Sequence, residues 1–116
     1  MPADRADRPL VWLHGEIRSP PFSTGARIEA GELLRRLQRR ETLALPHSHP
    51  MPVVGRGCHE LRIVDAGVSW RIVYHLRQDA VVIVAVFAKK TRRTPVQQIE
   101  ASRDRLRRFL RDLGEG

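Results

Sequence analysis

His59-Glu60-Leu61-Arg62-Ile63-Val64-Asp65, Ala66-Gly67 and Val68-Ser69-Trp70-Arg71-Ile72-Val73-Tyr74-His75-Leu76 form the stretch that decides the fold. Both long runs alternate with the period of a strand. In the second, Val68, Trp70, Ile72, Tyr74 and Leu76 share one face, while Ser69, Arg71, Val73 and His75 share the other. In the first, Leu61 and Ile63 oppose Glu60, Arg62 and Val64. The two apolar faces must lie on the same side of a sheet, and a one-residue slip would reverse one of them. A tight turn at Ala66-Gly67 pairs Asp65 with Val68. That register sets Leu61 against Ile72 and Ile63 against Trp70. On the open face it sets Arg62 directly against Arg71.

Like charges directly opposite each other cost a few tenths to ~1 kcal/mol. Two readings of the pair follow. Kept at that cost, the two arginines hold a phosphate. Alternatively Glu60, two residues before Arg62 on the same face, neutralises them.

Downstream, Ala80 to Ala88 is apolar at every residue, which predicts a central strand covered on much of both faces. Lys89 and Lys90 close that strand. If it continues through them they point to opposite faces, so at most one joins the arginines. Lys89-Lys90-Thr91-Arg92-Arg93 is the densest basic run, at a strand-to-helix junction where helix amides favour anions. Pro95 suits the first turn of a final helix, with Thr94 as cap. Its buried stripe is Ile99, Leu106, Leu110 and Leu113, with Phe109 alongside, and Arg103 lies on the same stripe and so is expected to bridge helix to sheet.

Upstream, residues 10–17 read as a strand, and Ser19-Pro20-Pro21 forces an extended turn. Ser23 or Thr24 caps a helix over about residues 23–40. Phe22, Ala26, Ala30, Leu33, Leu34 and Leu37 form its buried face, and Arg27, Arg35, Arg36, Arg39 and Arg40 lie around the rest. Residues 42–58 are rich in Pro and Gly and read as an irregular connection. Residues 1–9 are polar and expected to fray, leaving one domain over 10–113. The element order predicts an α+β fold: a small antiparallel β-sheet with helices packed on one face.

Composition narrows the function. The 116 residues carry 21 Lys+Arg against 13 Asp+Glu, a formal net charge of +8, and all the basic residues but Lys89 and Lys90 are Arg. A polyanionic partner is implied. One cysteine, Cys58, excludes an internal disulfide framework and fits a reducing cytoplasm. No run approaches the ~18 apolar residues of a membrane span, and the N-terminus has no signal-peptide core.

Glu60-Leu61-Arg62, Trp70-Arg71-Ile72-Val73-Tyr74, Val86-Phe87-Ala88-Lys89-Lys90-Thr91 and Thr94-Pro95 resemble the RelE/ParE superfamily of toxins. The nearest likeness is to its phage-derived HigB-like branch, with Leu13-His14-Gly15-Glu16-Ile17 and Glu29-Ala30-Gly31-Glu32-Leu33-Leu34 adding to it. The likeness spans roughly residues 10–110. It implies the toxin of a type II toxin–antitoxin system, neutralised by a helix-turn-helix antitoxin. It further implies a ribosome-dependent mRNA endonuclease working without metal or cofactor, in which the ribose 2′-OH attacks the adjacent phosphate. By position the resemblance assigns Arg71 first to phosphate stabilisation, then Arg62, and Lys90 and then Lys89 to the basic position ending the sheet. Arg92, Arg93, Arg35, Arg36, Arg39 and Arg40 are the expected RNA contacts.

Two departures stand against the pattern. Some relatives use a late tyrosine or a late histidine; here Tyr74 is the single tyrosine, on the apolar face, and no histidine follows His75. That leaves the general base unassigned and keeps two alternatives: a ParE-like DNA gyrase inhibitor, and an inactive remnant that binds antitoxin or RNA. His47-Ser48-His49 lacks companion ligands for a metal, and reads as a solvated loop from which a histidine can serve RNA. Cys58 and His59 point to opposite faces, so Cys58 is an ordinary thiol. His75 lies four residues from Arg71, ~13 Å along the strand, too far to share its phosphate.

Overall fold

The computed structural model describes residues 6–19, 21–89 and 94–115. The Ala66-Gly67 turn forms with both residues at positive φ, 45° and 86°. That two-residue geometry matches the twist of paired strands. It joins β3 (Cys58–Asp65) to β4 (Val68–Leu76). Their antiparallel ladder runs from Asp65↔Val68 to Cys58↔His75, with Leu61 against Ile72 and Arg62 against Arg71, as expected.

β5 (Val81–Lys89) pairs antiparallel with the other edge of β4. A bulge interrupts that ladder: Val73 pairs with Ala85 and Tyr74 with Ile83, leaving Val84 without a partner on β4. β1 (Leu10–Trp12) and β2 (Ser48–Pro50) complete a five-stranded sheet in the order β1-β5-β4-β3-β2.

The α+β class and the small sheet are as expected, but two particulars are corrected. The sheet is mixed rather than antiparallel, because β1 runs parallel to β5. A parallel partner needs a long crossover, and the whole chain between β1 and β5 supplies it. The helices lie on both faces rather than on one. α1 (Thr24–Gln38) is capped by Ser23, whose hydroxyl accepts from the Ala26 amide at 3.1 Å. Its Ala26, Ala30, Leu33, Leu34 and Leu37 pack with Leu61, Ile63, Ile72, Tyr74 and Ile83. α2 (Val96–Asp112) seats Leu106 among Val73, Val82, Val84 and Phe87 on the opposite face. The physical cause is the run Ala80 to Ala88: a strand apolar on both faces must be covered on both.

β2 lies within the Pro- and Gly-rich connection that the sequence predicts to be irregular. It is an edge strand of three residues, a place where Pro50 removes no needed ladder bond. Residues 6–9, expected to fray, are held in part: the Arg8 amide donates to the Gln38 carbonyl at 2.8 Å, and Gln38 Nε2 returns a bond to the Arg8 carbonyl at 3.0 Å.

Candidate functional site

The sheet face that carries α2 also carries the two arginines. Register fixes which residues share it. Arg62 and Arg71 are opposite each other on β3 and β4, Lys89 on β5 is opposite Ser69, and His49 on β2 is opposite Glu60. Four strands therefore bring His49, Glu60, Arg62, Arg71 and Lys89 to one patch, beside the N-terminal end of α2.

Glu60 is its centre, with 1% of its surface exposed. Its Oε1 lies 3.2 Å from Arg71 Nε and 3.5 Å from Arg62 Nε. Its Oε2 accepts from the Thr94 hydroxyl at 2.9 Å. A carboxylate so deeply buried requires such partners. Thr94 was expected to cap α2; Pro95 takes the cap position with no side-chain bond, and the Thr94 hydroxyl turns to Glu60 instead. Arg71 is itself buried and also donates to the Ser69 hydroxyl and, at 3.3 Å, to the Trp70 carbonyl. Neither Arg62 Nε nor Arg71 Nε is aligned for a hydrogen bond within the described residues.

Three cations and one carboxylate leave a positive surplus. The electrostatics follow. Burial, and then the neighbouring Arg71 charge, lower the Lys89 pKa from its ordinary value, against the pull of Glu60. Burial and then Arg62, with Arg71 and Lys89 adding, lower that of His49. Arg71 is pulled down chiefly by burial and held up by Glu60, but a guanidinium stays charged at any physiological pH.

Of the two readings of the arginine pair, the neutralising role of Glu60 is present in the contacts. Lys89 is the lysine that joins the arginines. Lys90, Arg92 and Arg93 lie outside the described residues. The helix arginines are not brought to the patch, because α1 covers the other face. Arg35 pairs with Asp7 at 2.7 Å, Arg36 with Glu41 at 2.9 Å, and Arg40 donates to the Ala6 and Gln78 carbonyls. Arg39 is exposed on that same side.

His49 and Thr94 are the members that strand alternation did not find. The signal for His49 was the His47-Ser48-His49 spacing, unusable until the β2 pairing is known. Tyr74 is core, its hydroxyl 2.7 Å from the Ser48 hydroxyl. Burial pushes the Cys58 thiol up to about 11, so it is no nucleophile near neutral pH. Arg103 is exposed. Arg105 bridges helix to sheet instead, donating at 2.8 Å to the carbonyl of the bulged Val84.

Among the described residues no His, Cys, Asp and Glu side chains cluster to hold a metal ion, and no helix is long and apolar enough to cross a membrane. Fold and site together define a small α+β protein with a cationic patch built across four strands of one sheet face. Residues 21–107, which include every member of that patch, match the family described as Phage derived protein Gp49-like (DUF891). The chain belongs to that family, which is toxin-like and of RelE/HigB type. No curated protein matches the chain.

Proposed function

We propose that this chain is the toxin of a type II toxin–antitoxin pair, a HigB-like enzyme that cuts mRNA on translating ribosomes in the cytoplasm. The observation that carries the reading is the patch: two guanidiniums and an ammonium in excess over one carboxylate, with an imidazole at the rim. RNA cleavage by the 2′-OH needs a proton acceptor, charge on the phosphorus oxygens, and a proton for the leaving 5′-oxygen. Arg71 and Arg62 meet the second need, each a permanent charge with a rigid donor fork. Arg62, 37% of whose side chain is exposed, is the guanidinium that the phosphate oxygens of a substrate reach first.

His49 meets the first need. Its depressed pKa keeps the imidazole neutral at pH 7 and able to take the 2′-OH proton. The freed 2′-oxygen attacks phosphorus, the bond to the 5′-oxygen breaks, and Lys89 gives that oxygen its proton. The lowered pKa of Lys89 makes it a better acid than an ordinary lysine. A 2′,3′-cyclic phosphate and a 5′-hydroxyl result. Glu60 touches no substrate and positions both arginines. His49 also weakens the case for a gyrase inhibitor, which rested on the lack of a late tyrosine or histidine. The partner in this reading is a helix-turn-helix antitoxin.

The test maps mRNA ends in a translating extract. Wild type generates new ends, and Arg71→Lys, which keeps Glu60 paired but loses the fork, slows their appearance by about 10²–10³-fold. His49→Gln slows cleavage and flattens the acid side of its pH profile. Intact mRNA at wild-type doses that stop growth would overturn the reading. Cleaved DNA with unchanged mRNA would transfer it to gyrase. Harmless expression of the folded chain without antitoxin would leave the inactive remnant.

A further inference from the structure

At the other end of α2 the same sheet face opens into a groove of about 930 Å³. It runs between residues 54–57, the end of β4 and the C-terminal half of α2. Its floor is aliphatic: Val54 and Leu106 are buried, and Leu110 is half-buried. Its rim is cationic, with Arg56, Arg77, Arg103 and Arg107 against Asp79 and Glu115. Arg56 and Arg103 are exposed and form no ion pair among the described residues.

Arg107 pairs only with the exposed Asp104, at 3.1 Å, whereas Arg77 is held more tightly. Its Nη1 and Nη2 grip the two oxygens of Glu115 at 2.8 and 2.7 Å, and its Nε binds Asp79 at 2.9 Å. Glu115 follows the end of α2, so the chain's own carboxylate sits bidentate on the one rim arginine that is mostly buried. The fork geometry selects a planar carboxylate or a phosphate.

We infer that this groove is a docking site for an acidic amphipathic segment of a partner protein, and that Glu115 stands in for one of that segment's carboxylates. The floor decides for protein over nucleic acid. Single-stranded nucleic acid binds on successive aromatic platforms, and the groove offers a single ring, the imidazole of His75, against the aliphatic Val54, Leu106 and Leu110. Aliphatic anchors flanked by carboxylates fit both its floor and its rim. Arg103, the first α2 residue to line the groove, stands seven residues beyond Val96, about 10 Å along the helix from the end that meets the Glu60 patch. Docking there is therefore independent of the nuclease reading.

The test is fluorescence anisotropy on the full chain. The probe is a labelled 16-residue helical peptide with Glu on one face and Leu on the other. Controls are a Glu/Ser peptide of equal charge and an oligo(U) RNA. We expect the Glu/Leu peptide to bind, and Arg56→Glu with Arg103→Glu to weaken it at least about tenfold. Glu115→Gln frees Arg77 and tightens binding several-fold, and Arg71→Lys leaves it unchanged. Any of three results would overturn the inference: equal affinity for the Glu/Ser peptide, no tightening in Glu115→Gln, or displacement of the peptide by oligo(U) through Arg56 and Arg103.

Discussion

Removing the Glu60 carboxylate tests the architecture of the patch most severely. In Glu60→Ala, Arg71 keeps its charge with 8% of its surface exposed and retains only the Ser69 hydroxyl and Trp70 carbonyl as partners. Orphaning a buried charge typically costs about 3–5 kcal/mol. The lost Thr94 bond adds about 1 kcal/mol. Arg62 recovers part of its share, because 37% of its side chain already meets solvent. A net loss of about 4 kcal/mol follows, a large fraction of the 5–15 kcal/mol that holds a typical domain. With a urea slope of about 2 kcal/mol/M, the unfolding midpoint falls by about 2 M. Glu60→Gln keeps the shape and an acceptor for Thr94, and should lose roughly half as much. A double-mutant cycle with Arg71→Ala isolates the pair, and we expect a coupling of about 2 kcal/mol. A loss below about 1 kcal/mol in Glu60→Ala, or a coupling below about 0.5, would refute the reasoning.

Other outcomes follow from single contacts. Arg105→Met leaves the Val84 carbonyl without its donor and should cost about 1–2 kcal/mol, read as a urea midpoint; an unchanged midpoint would show that the bulge does not need the bridge. Gly67→Ala meets no atom within 4 Å but must hold φ at 86°, so strain alone should cost about 1 kcal/mol, and Gly67→Asn should cost less. His49, His59 and His75 all have pKa values lowered chiefly by burial. The unfolded chain therefore binds protons first as pH falls, so stability is full above about pH 6.5 and declines below it. Urea midpoints at pH 7.5 and 5.5 check this, and a midpoint that rises on acidification contradicts it.

The register of β3 and β4 was legible because two independent constraints agreed on it. Leu61 and Ile63 had to share a side with Trp70 and Ile72, and the turn admitted two residues. α1 was legible for a similar reason, since Ser23 and the Ala26-to-Leu37 stripe give one answer. β2 was not, because three residues among Pro46, Pro50 and Pro52 show no alternation and take their register from the edge of β3. His49 was hidden with it. The stripe of α2 says that one face is buried, not which side of the sheet buries it. The all-apolar run from Ala80 to Ala88 held that information, since it demanded a second cover. The choice of Arg105 over Arg103 depended on the bulge at Val84, a long-range feature of the β4–β5 pairing.

The opposed arginines first offered a choice between a phosphate site and an internally neutralised pair. The contacts dissolve that choice. One oxygen of Glu60 is shared between both guanidiniums, and the other is taken by Thr94. A single negative charge fixes Arg62 and Arg71 in place but balances only one of them, and Lys89 adds a further uncompensated charge on the same face. Had each cation its own carboxylate, the patch would be explained by folding alone. The shortfall is what remains to be met by a ligand, and a polyanion is the class of ligand that meets it. Stability and the proposed chemistry therefore pull on the same residue. Replacing Glu60, Arg62 and Arg71 together with apolar side chains that pack should remove the buried charges and the like-charge repulsion at once while ending any affinity for phosphate, so a variant more stable than wild type yet inert toward RNA is the signature of this arrangement.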